Sequence, residues 1–368
     1  MNQVIRIGVD TSKSVFQVHG VDAAERPILR KKLRRRDVLA FFAKLPPTRI
    51  GLEACGGSHH WGRELAALGH EAVLLPPQYA KKYLMRGKND AADAEAICEA
   101  MSRPRVQARF VPVKTVEQQA AQMLVGMRDR LVRNRTQLSN AIRGYAAEFG
   151  LVAAKGLDKI EPLLARIAGD PGVPELAKDL FAAHGVEYAQ LQARLREIDA
   201  KLAAWHRGNE LSKRLAEVPT IGLITASRLA IKVTNPKAFR SGRDFAAWIG
   251  LTPKDHSTAG KQRLGVITRA GDESLRQGLV LGATAVIKQI RKGCPDASPW
   301  LIELVKRKPP KLAAVALANK TARIAWKLMV SGEPYRPEAG SRRFVPATGS
   351  VAPGSHRQGR CAPPSAVA

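Results

Sequence analysis

The spacing of apolar positions changes once along the chain, near residue 114, and that change divides the sequence. Before it, apolar residues come in short runs with a strand's period. Residues 4–10, Val-Ile-Arg-Ile-Gly-Val-Asp, read as a strand buried on at least one face and ending on an acid, Asp10. Residues 14–21 alternate as a second strand, and 26–33 offer a third. Helical spacing over 36–45 stops at Pro46-Pro47. Residues 49–53 form another short strand ending on an acid, Glu53, and the Ala-Cys-Gly-Gly turn at 54–57 leads into a helix over 58–68. Residues 70–75 are a further strand. Three strands, a helix, then alternating strand and helix is the order of an α/β ribonuclease-H-like layer, expected over residues 1–113.

Beyond it the period becomes helical. Residues 114–149 and 186–206 are long amphipathic stretches, the second with Leu191, Leu195, Ile198 and Leu202 on one face. Between them, 156–174 is broken by Gly and Pro and reads as a loop-rich tip. Together they form a helical insert over 114–210, either plain structural spacing or a dimer arm, and the arm is favoured because basic outer faces are costly to bury in a core. A mainly α-helical domain then spans 211–331. In it Gly222 separates two apolar helical runs, as in a helix-hairpin-helix whose glycine turn offers N–H groups to a phosphate; an ordinary helix corner fits equally well. Residues 251–271 read as a loop rich in Ser, Thr, Gly and basic side chains, ahead of a helix over 272–289, and 313–330 is a last helix. Beyond 331 the chain is rich in Pro, Gly, Ser and Arg, and disorder is expected over 332–368.

Charge adds the partner. Lys and Arg total 60 against 32 acids, a net +28, which points to a polyanion, most simply nucleic acid. Residues 30–36 alone carry six basic side chains in seven, a solvated edge or a phosphate rail. Aromatics are only 5%, so phosphate contacts should outweigh base stacking. Cys55, Cys98, Cys294 and Cys361 are scattered without a Cys-x-x-Cys, so neither a zinc site nor a disulfide framework follows. No run approaches membrane-spanning length and the chain starts directly on a strand pattern; a reduced, cytoplasmic protein with no membrane partner is expected.

The candidate chemistry centres on Asp90 and Asp93, in Arg-Gly-Lys-Asn-Asp-Ala-Ala-Asp-Ala-Glu-Ala-Ile at 86–97. The alanines favour a helix, with Asn89 or Asp90 as N-cap, and positions i and i+3 share a face. Alone, the pair would be a solvated helix end matched to the dipole. In a ribonuclease-H-like layer, however, Asp10 and Glu53 lie close together and the following helix supplies the other two acids. Four carboxylates can hold two divalent ions, Mg²⁺ or Mn²⁺, which clamp the attacking and leaving oxygens of a phosphodiester.

The same residues carry a family resemblance. Gly-Val-Asp-Thr-Ser-Lys at 8–13, Leu-Glu-Ala-Cys-Gly-Gly at 52–57 and the segment 86–94 resemble the DEDD transposases of bacterial insertion sequences, above all the insertion-sequence-110 family and the related Piv-type invertases. Val-Pro-Thr-Ile-Gly at 218–222, His-Ser-Thr-Ala-Gly-Lys at 256–261 and 264–272 resemble that family's second domain, so the match runs from about residue 4 to 330. The resemblance implies a RuvC-like nuclease domain binding Mg²⁺ through Asp10, Glu53, Asp90 and Asp93. It also implies a serine that attacks DNA and becomes linked to it, corresponding to Ser257, with Thr258 as its neighbouring rival. Lys88, Gly222, Lys261 and Arg263 are the candidate nucleic-acid contacts, and His256 is near enough in sequence to assist. It further implies a guide RNA from the element and a homo-oligomer. Ala259 departs from the family, where glycine is common, and should restrict the loop. The rivals are a Holliday-junction resolvase using metal-activated water, a non-catalytic DNA-binding regulator and, last, an actin-like sugar kinase.

Overall fold

Strands β1 (Arg6–Thr11), β2 (Val15–Val21) and β3 (Pro27–Arg34) form an antiparallel meander. After the short helix α1 (Val38–Phe42) comes β4 (Arg49–Glu53), parallel to β1; after α2 (Ser58–Ala67) comes β5 (Glu71–Leu75), parallel to β4. The sheet order is therefore β3-β2-β1-β4-β5. Helices α3 (Pro77–Ala80), α4 (Asp90–Ala100) and α5 (Pro104–Gln107) complete this part. The computed structural model describes residues 3–84, 90–107, 109–292 and 298–336. Its contacts divide the chain after Ala120 into two compact units.

In the first unit the alternation of β1 and β4 sorts side chains onto two unlike faces. Ile7, Val9, Phe16, Val18, Ile50 and Leu52 face α1 and α2 and are buried with Val38, Phe42, Trp61 and Leu65. The opposite face carries Gly8 and Gly51, paired in register. There a side chain would collide with α4: a Cβ on Gly8 would lie 2.2 Å from the Ala94 carbonyl oxygen, and one on Gly51 would lie 2.7 Å from Met101 Sδ. The two glycines form a trough that seats a helix rich in Ala directly on the backbone of the sheet.

The second unit is helical, with α6 (Val116–Glu148) and α8 (Glu175–Arg207) of 33 residues each. At 1.5 Å per residue each runs about 50 Å. Between them, where a loop-rich tip was expected, lies α7 (Ile160–Gly169). Pro162 stands in its first turn, where the missing N–H removes no helical bond, and Ile160, Leu163 and Ile167 bury at helical spacing against Phe181, Tyr188 and Leu191. The stretch expected over 186–206 begins eleven residues earlier, its start set by Pro174 at the N-cap.

The remaining elements are α9 (Glu210–Ala216), α10 (Leu223–Lys232), α11 (Gly242–Ile249), the strands β6 (Pro253–Asp255) and β7 (Leu264–Ile267), α12 (Glu273–Arg291), α13 (Pro299–Arg307) and α14 (Pro310–Ser331). Their core joins Leu215, Leu229, Phe245, Leu275 and Leu279 to the alanines 313, 314, 318, 322 and 325 of α14. The segment expected as a loop over 251–271 is instead an antiparallel hairpin of β6 and β7, closed by a bridge between Thr258 and Lys261. Its polar composition hid it, since the alternation that marks a strand reports a buried face and this ribbon has none. Helix α13 was not expected at all. The disorder expected over 332–368 concerns residues that, from 337 on, lie outside the described ones.

Candidate active site

The acids are positioned by the buried frame. Val9 pairs with Leu52 in the parallel register, and one step further brings Asp10 beside Glu53. Each acid follows its trough glycine by two residues, so both project from the face that α4 covers. Just past them, Thr11 Oγ1 and Cys55 Sγ are 3.6 Å apart, which holds the two strand ends together. Helix α4 runs antiparallel to β1. The Cys98 carbonyl accepts from Arg6 Nε at 2.8 Å, and Ala94 lies over Gly8. Four helical residues advance about 6 Å and two strand residues about 6.7 Å, so the next turn back, with Asp90 and Asp93, arrives over Asp10. Arg6 is in turn ion-paired with Glu25, which locks the helix along the strand.

Asp10, Glu53 and Asp93 are all half-buried at this end of the sheet. Among the described residues, no group of three or more His, Cys, Asp or Glu side chains closes tightly enough to hold a metal ion. The side chain of Asp90, and all of Lys88 and Asn89, lie outside the described residues. The carboxylates of Asp10, Glu53 and Asp93 are oxygen donors of the kind a hard divalent cation takes.

Ser257 is held by local turn chemistry. Its backbone N–H donates to Asp255 Oδ1 at 2.9 Å, and its Oγ accepts from the Arg263 N–H at 2.9 Å. A hydrogen bond from the serine side chain is the first cause, and the backbone N–H the second, holding the Asp255 carboxyl below the usual carboxylate range. The hairpin turns through Ala259 (φ 48°) and Gly260 (φ 78°), both in the left-handed region that a two-residue type I′ loop demands. Ala259 thus occupies a position that favours glycine, which gives the expected restriction a physical form. The ribbon's base is pinned where Gly250 and Gly271 cross. A Cβ on Gly271 would lie 1.9 Å from the Trp248 carbonyl oxygen, and Arg276 Nη1 donates to the Ile249 and Ala270 carbonyls at 2.9 and 2.8 Å. From residue 253 to 266 every residue is exposed.

Two family profiles match this chain. A transposase profile of the DEDD type associated with IS110 covers residues 7–149, and the profile of the transposase IS116/IS110/IS902 family covers 212–296. A candidate transposase of Sinorhizobium fredii, y4pF/y4sB, is 67% identical over 92% of this chain and 88% of its own length. The transposase for insertion sequence element IS1328 of Yersinia enterocolitica is 36% identical over 90% of this chain and 98% of its own. The transposase for IS1111A of Coxiella burnetii is also 36% identical, over 91% and 92%. The chain belongs to the IS110 family of insertion-sequence transposases.

In this transposase the first profile spans Asp10, Glu53, Asp90 and Asp93, and the second spans Gly222 and Ser257. Gly222 is the N-cap of α10, in an extended conformation any residue adopts, with open space where a Cβ would stand. Lys261 and Arg263 are exposed on the hairpin, and the Lys261 N–H donates to the Thr258 carbonyl at 3.0 Å. His256 lies across Gly265, 3.2 Å from where a Cβ would be. Asp255 escaped notice in the sequence, although Asp-x-Ser is the spacing of an Asx turn. Gly8 and Gly51 were legible too: Gly-Val-Asp and Gly-Leu-Glu repeat one pattern, a glycine two residues before an acid. No described helix is long and apolar enough to cross a membrane.

Proposed function

We propose that this transposase cuts and rejoins DNA through a covalent link to Ser257, with divalent metal held by Asp10, Glu53, Asp90 and Asp93. The observation that carries this reading is the register that sets Asp10 beside Glu53 beneath the first turn of α4. The strand order, the single antiparallel β2 and the helix on the glycine face support a ribonuclease-H-like, RuvC-like layer over residues 1–113. An arm over 114–210 and a DNA-engaging domain over 211–331, with a helix-hairpin-helix-like corner at Gly222, complete the organisation.

When bound, Mg²⁺ or Mn²⁺ would stabilise the charge that develops on the transferring phosphoryl group. The protein's own groups do the rest. Ser257 Oγ accepts from the Arg263 N–H through one lone pair, which leaves a second for attack on phosphorus, and the Asp255 carboxylate, held beside it by the Ser257 N–H, is the nearest acceptor for the serine proton. The Oγ–P bond forms as one bridging P–O bond breaks. The serine proton passes to Asp255 and then to the departing deoxyribose oxygen, which leaves as a hydroxyl end. Lys261, Arg263 and, upstream, Lys88 supply cations to the phosphates, and His256 borders the same strand pair. The family resemblance adds a guide RNA from the element and a homo-oligomer; the +28 charge accommodates two nucleic acids as readily as one.

The test is mass spectrometry of the peptide linked to DNA after a denaturing quench. The expected result is a deoxynucleotide on Ser257, lost in Ser257→Ala together with recombinant product and retained in Thr258→Ala. Modification of Thr258 would move the nucleophile by one residue. Cleaved strands with free ends and no adduct would assign the attack to water, as in a resolvase.

A further inference from the structure

The basic run at 30–36 is divided by the sheet. Opposed residues of an antiparallel pair share a face. Asp10 pairs with Gln17, and Gln17 pairs with Lys32; Gly8 pairs with His19, and His19 with Arg30; Val15 pairs with Arg34. Arg30, Lys32 and Arg34 therefore stand on the acid-bearing face. Lys31 and Leu33 stand on the other, where Leu33 is buried and the Lys31 ammonium lies 4.9 Å from the Phe41 ring centroid. Arg35 leaves the strand altogether and covers the Trp61 ring at 4.9 Å.

The three on the acid face are not equivalent. Arg30 is 4.0 Å from Glu95 of α4, beside His19, which that helix buries. Lys32 and Arg34 are exposed and make no ion pair among the described residues. In the sheet register the half-buried Gln17 stands between Lys32 and Asp10. Two strand spacings place the Lys32 backbone about 10 Å from that of Asp10, and Arg34 follows about 6.7 Å further along the edge. In the register, Lys32, Gln17, Asp10 and Glu53 thus stand on one face of neighbouring strands, with Arg34 beyond Lys32 along the edge.

We propose that Lys32 and Arg34 form a phosphate rail that lays the DNA strand to be cut across Gln17 onto Asp10 and Glu53. The occupant is DNA because this row ends on the carboxylates assigned to the phosphodiester, and the assignment rests on that reading of the acids. Charge complementarity recommends the edge; the register recommends these residues of it. The unpaired edge strand would otherwise be an exposed liability, and cations on it also discourage edge-to-edge pairing.

The test uses the full-length protein with duplex DNA from the element's end and an RNA of the same sequence, titrated across a series of salt concentrations. In the Lys32→Ala/Arg34→Ala double variant, the slope of log K against log salt for DNA should shrink by about 2, close to one unit per phosphate contact. Lys31→Ala, on the same strand but the other face, should leave it unchanged. A photocrosslinking side chain at position 32 should mark the bound DNA, and one at position 31, on the other face, should not. An unchanged slope in the double variant, an equal loss in Lys31→Ala, or a loss confined to RNA would each overturn the proposal. If the wild type forms no Ser257-linked DNA, the serine's role fails, and if Asp10→Asn still cuts DNA, the acids' role fails. The slopes then judge the rail separately, because binding needs no intact reaction centre.

Discussion

In the first unit Asp10 and Glu53 end two strands whose neighbours Ile7, Val9, Ile50 and Leu52 are completely buried, and a helix rests on the glycines beside them. In the second, Ser257 sits on a ribbon exposed from residue 253 to 266, donating its N–H to Asp255 and accepting at Oγ from the N–H of Arg263. The carboxylates are thus placed by long-range packing, and the serine by its immediate neighbours. The difference teaches where each half is fragile. A change in the core that never touches an acid should disable the first, whereas the second should respond only to changes within its own turn.

Substitution at the trough is the strongest way to break that contrast. Gly8→Val places atoms where the Ala94 carbonyl stands, so α4 must shift. Overpacking of this kind costs about 1–3 kcal/mol, and DNA cleavage should fall below detection although all four acids remain. Asp10→Asn should lose cleavage by at least about 10²-fold with unchanged thermal unfolding and DNA affinity, since it alters charge without volume. Thermal melts and cleavage assays on both proteins decide the matter. Full activity in Gly8→Val would show that α4 does not need its seat.

The matching experiment in the ribbon is Asp255→Asn. The amide oxygen still accepts from the Ser257 N–H, so the turn persists, but it cannot take the serine proton. Adduct formation should slow by about 10²-fold with no change in the melt. A wild-type rate would reduce Asp255 to a turn residue. Smaller again is Ala259→Gly, which relieves a left-handed alanine and should stabilise the hairpin by about 1 kcal/mol. Hydrogen exchange at the Lys261 N–H should slow, while amides of the sheet stay as they were.

The mildest effect is one of pH and belongs to the first unit. Burial, then the cations of Lys114 and Arg63, push His59 down to about 4, and its Nδ1 accepts the Lys114 N–H at 3.1 Å. A depressed histidine pKa means the fold favours the neutral ring. The stability it confers is complete above the unfolded value near 6.5 and is lost as pH falls from there towards 4. His59→Gln keeps an acceptor without a titrating proton, so its unfolding midpoint should depend less steeply on pH in that window. An unchanged slope would assign the acid sensitivity to other groups.

Much of this was readable in the residues. The strand periods marked β1, β2, β4 and β5 near their observed ends, since each buries at least one face and so leaves an alternation or a short apolar run. The repeated glycine-apolar-acid pattern stood at both strand ends that carry an acid. What failed to show was structure that buries little or follows an interruption. The hairpin of β6 and β7 has no hidden face to impose a period, and α7 was masked by the Gly and Pro around it.

By itself, the sequence determined the strands that bury a face, the long amphipathic helices and the excess of positive charge, because periodicity, propensity and charge act within a few residues. Only the tertiary structure decided which distant residues share a face. Six cations in seven positions look alike along the chain, yet pairing β3 to β2 and β2 to β1 turns Lys32 and Arg34 towards Asp10 and Lys31 away. A strand's side chains alternate with a period of two, so a single step in register would exchange those faces, and register is set by partners elsewhere in the chain.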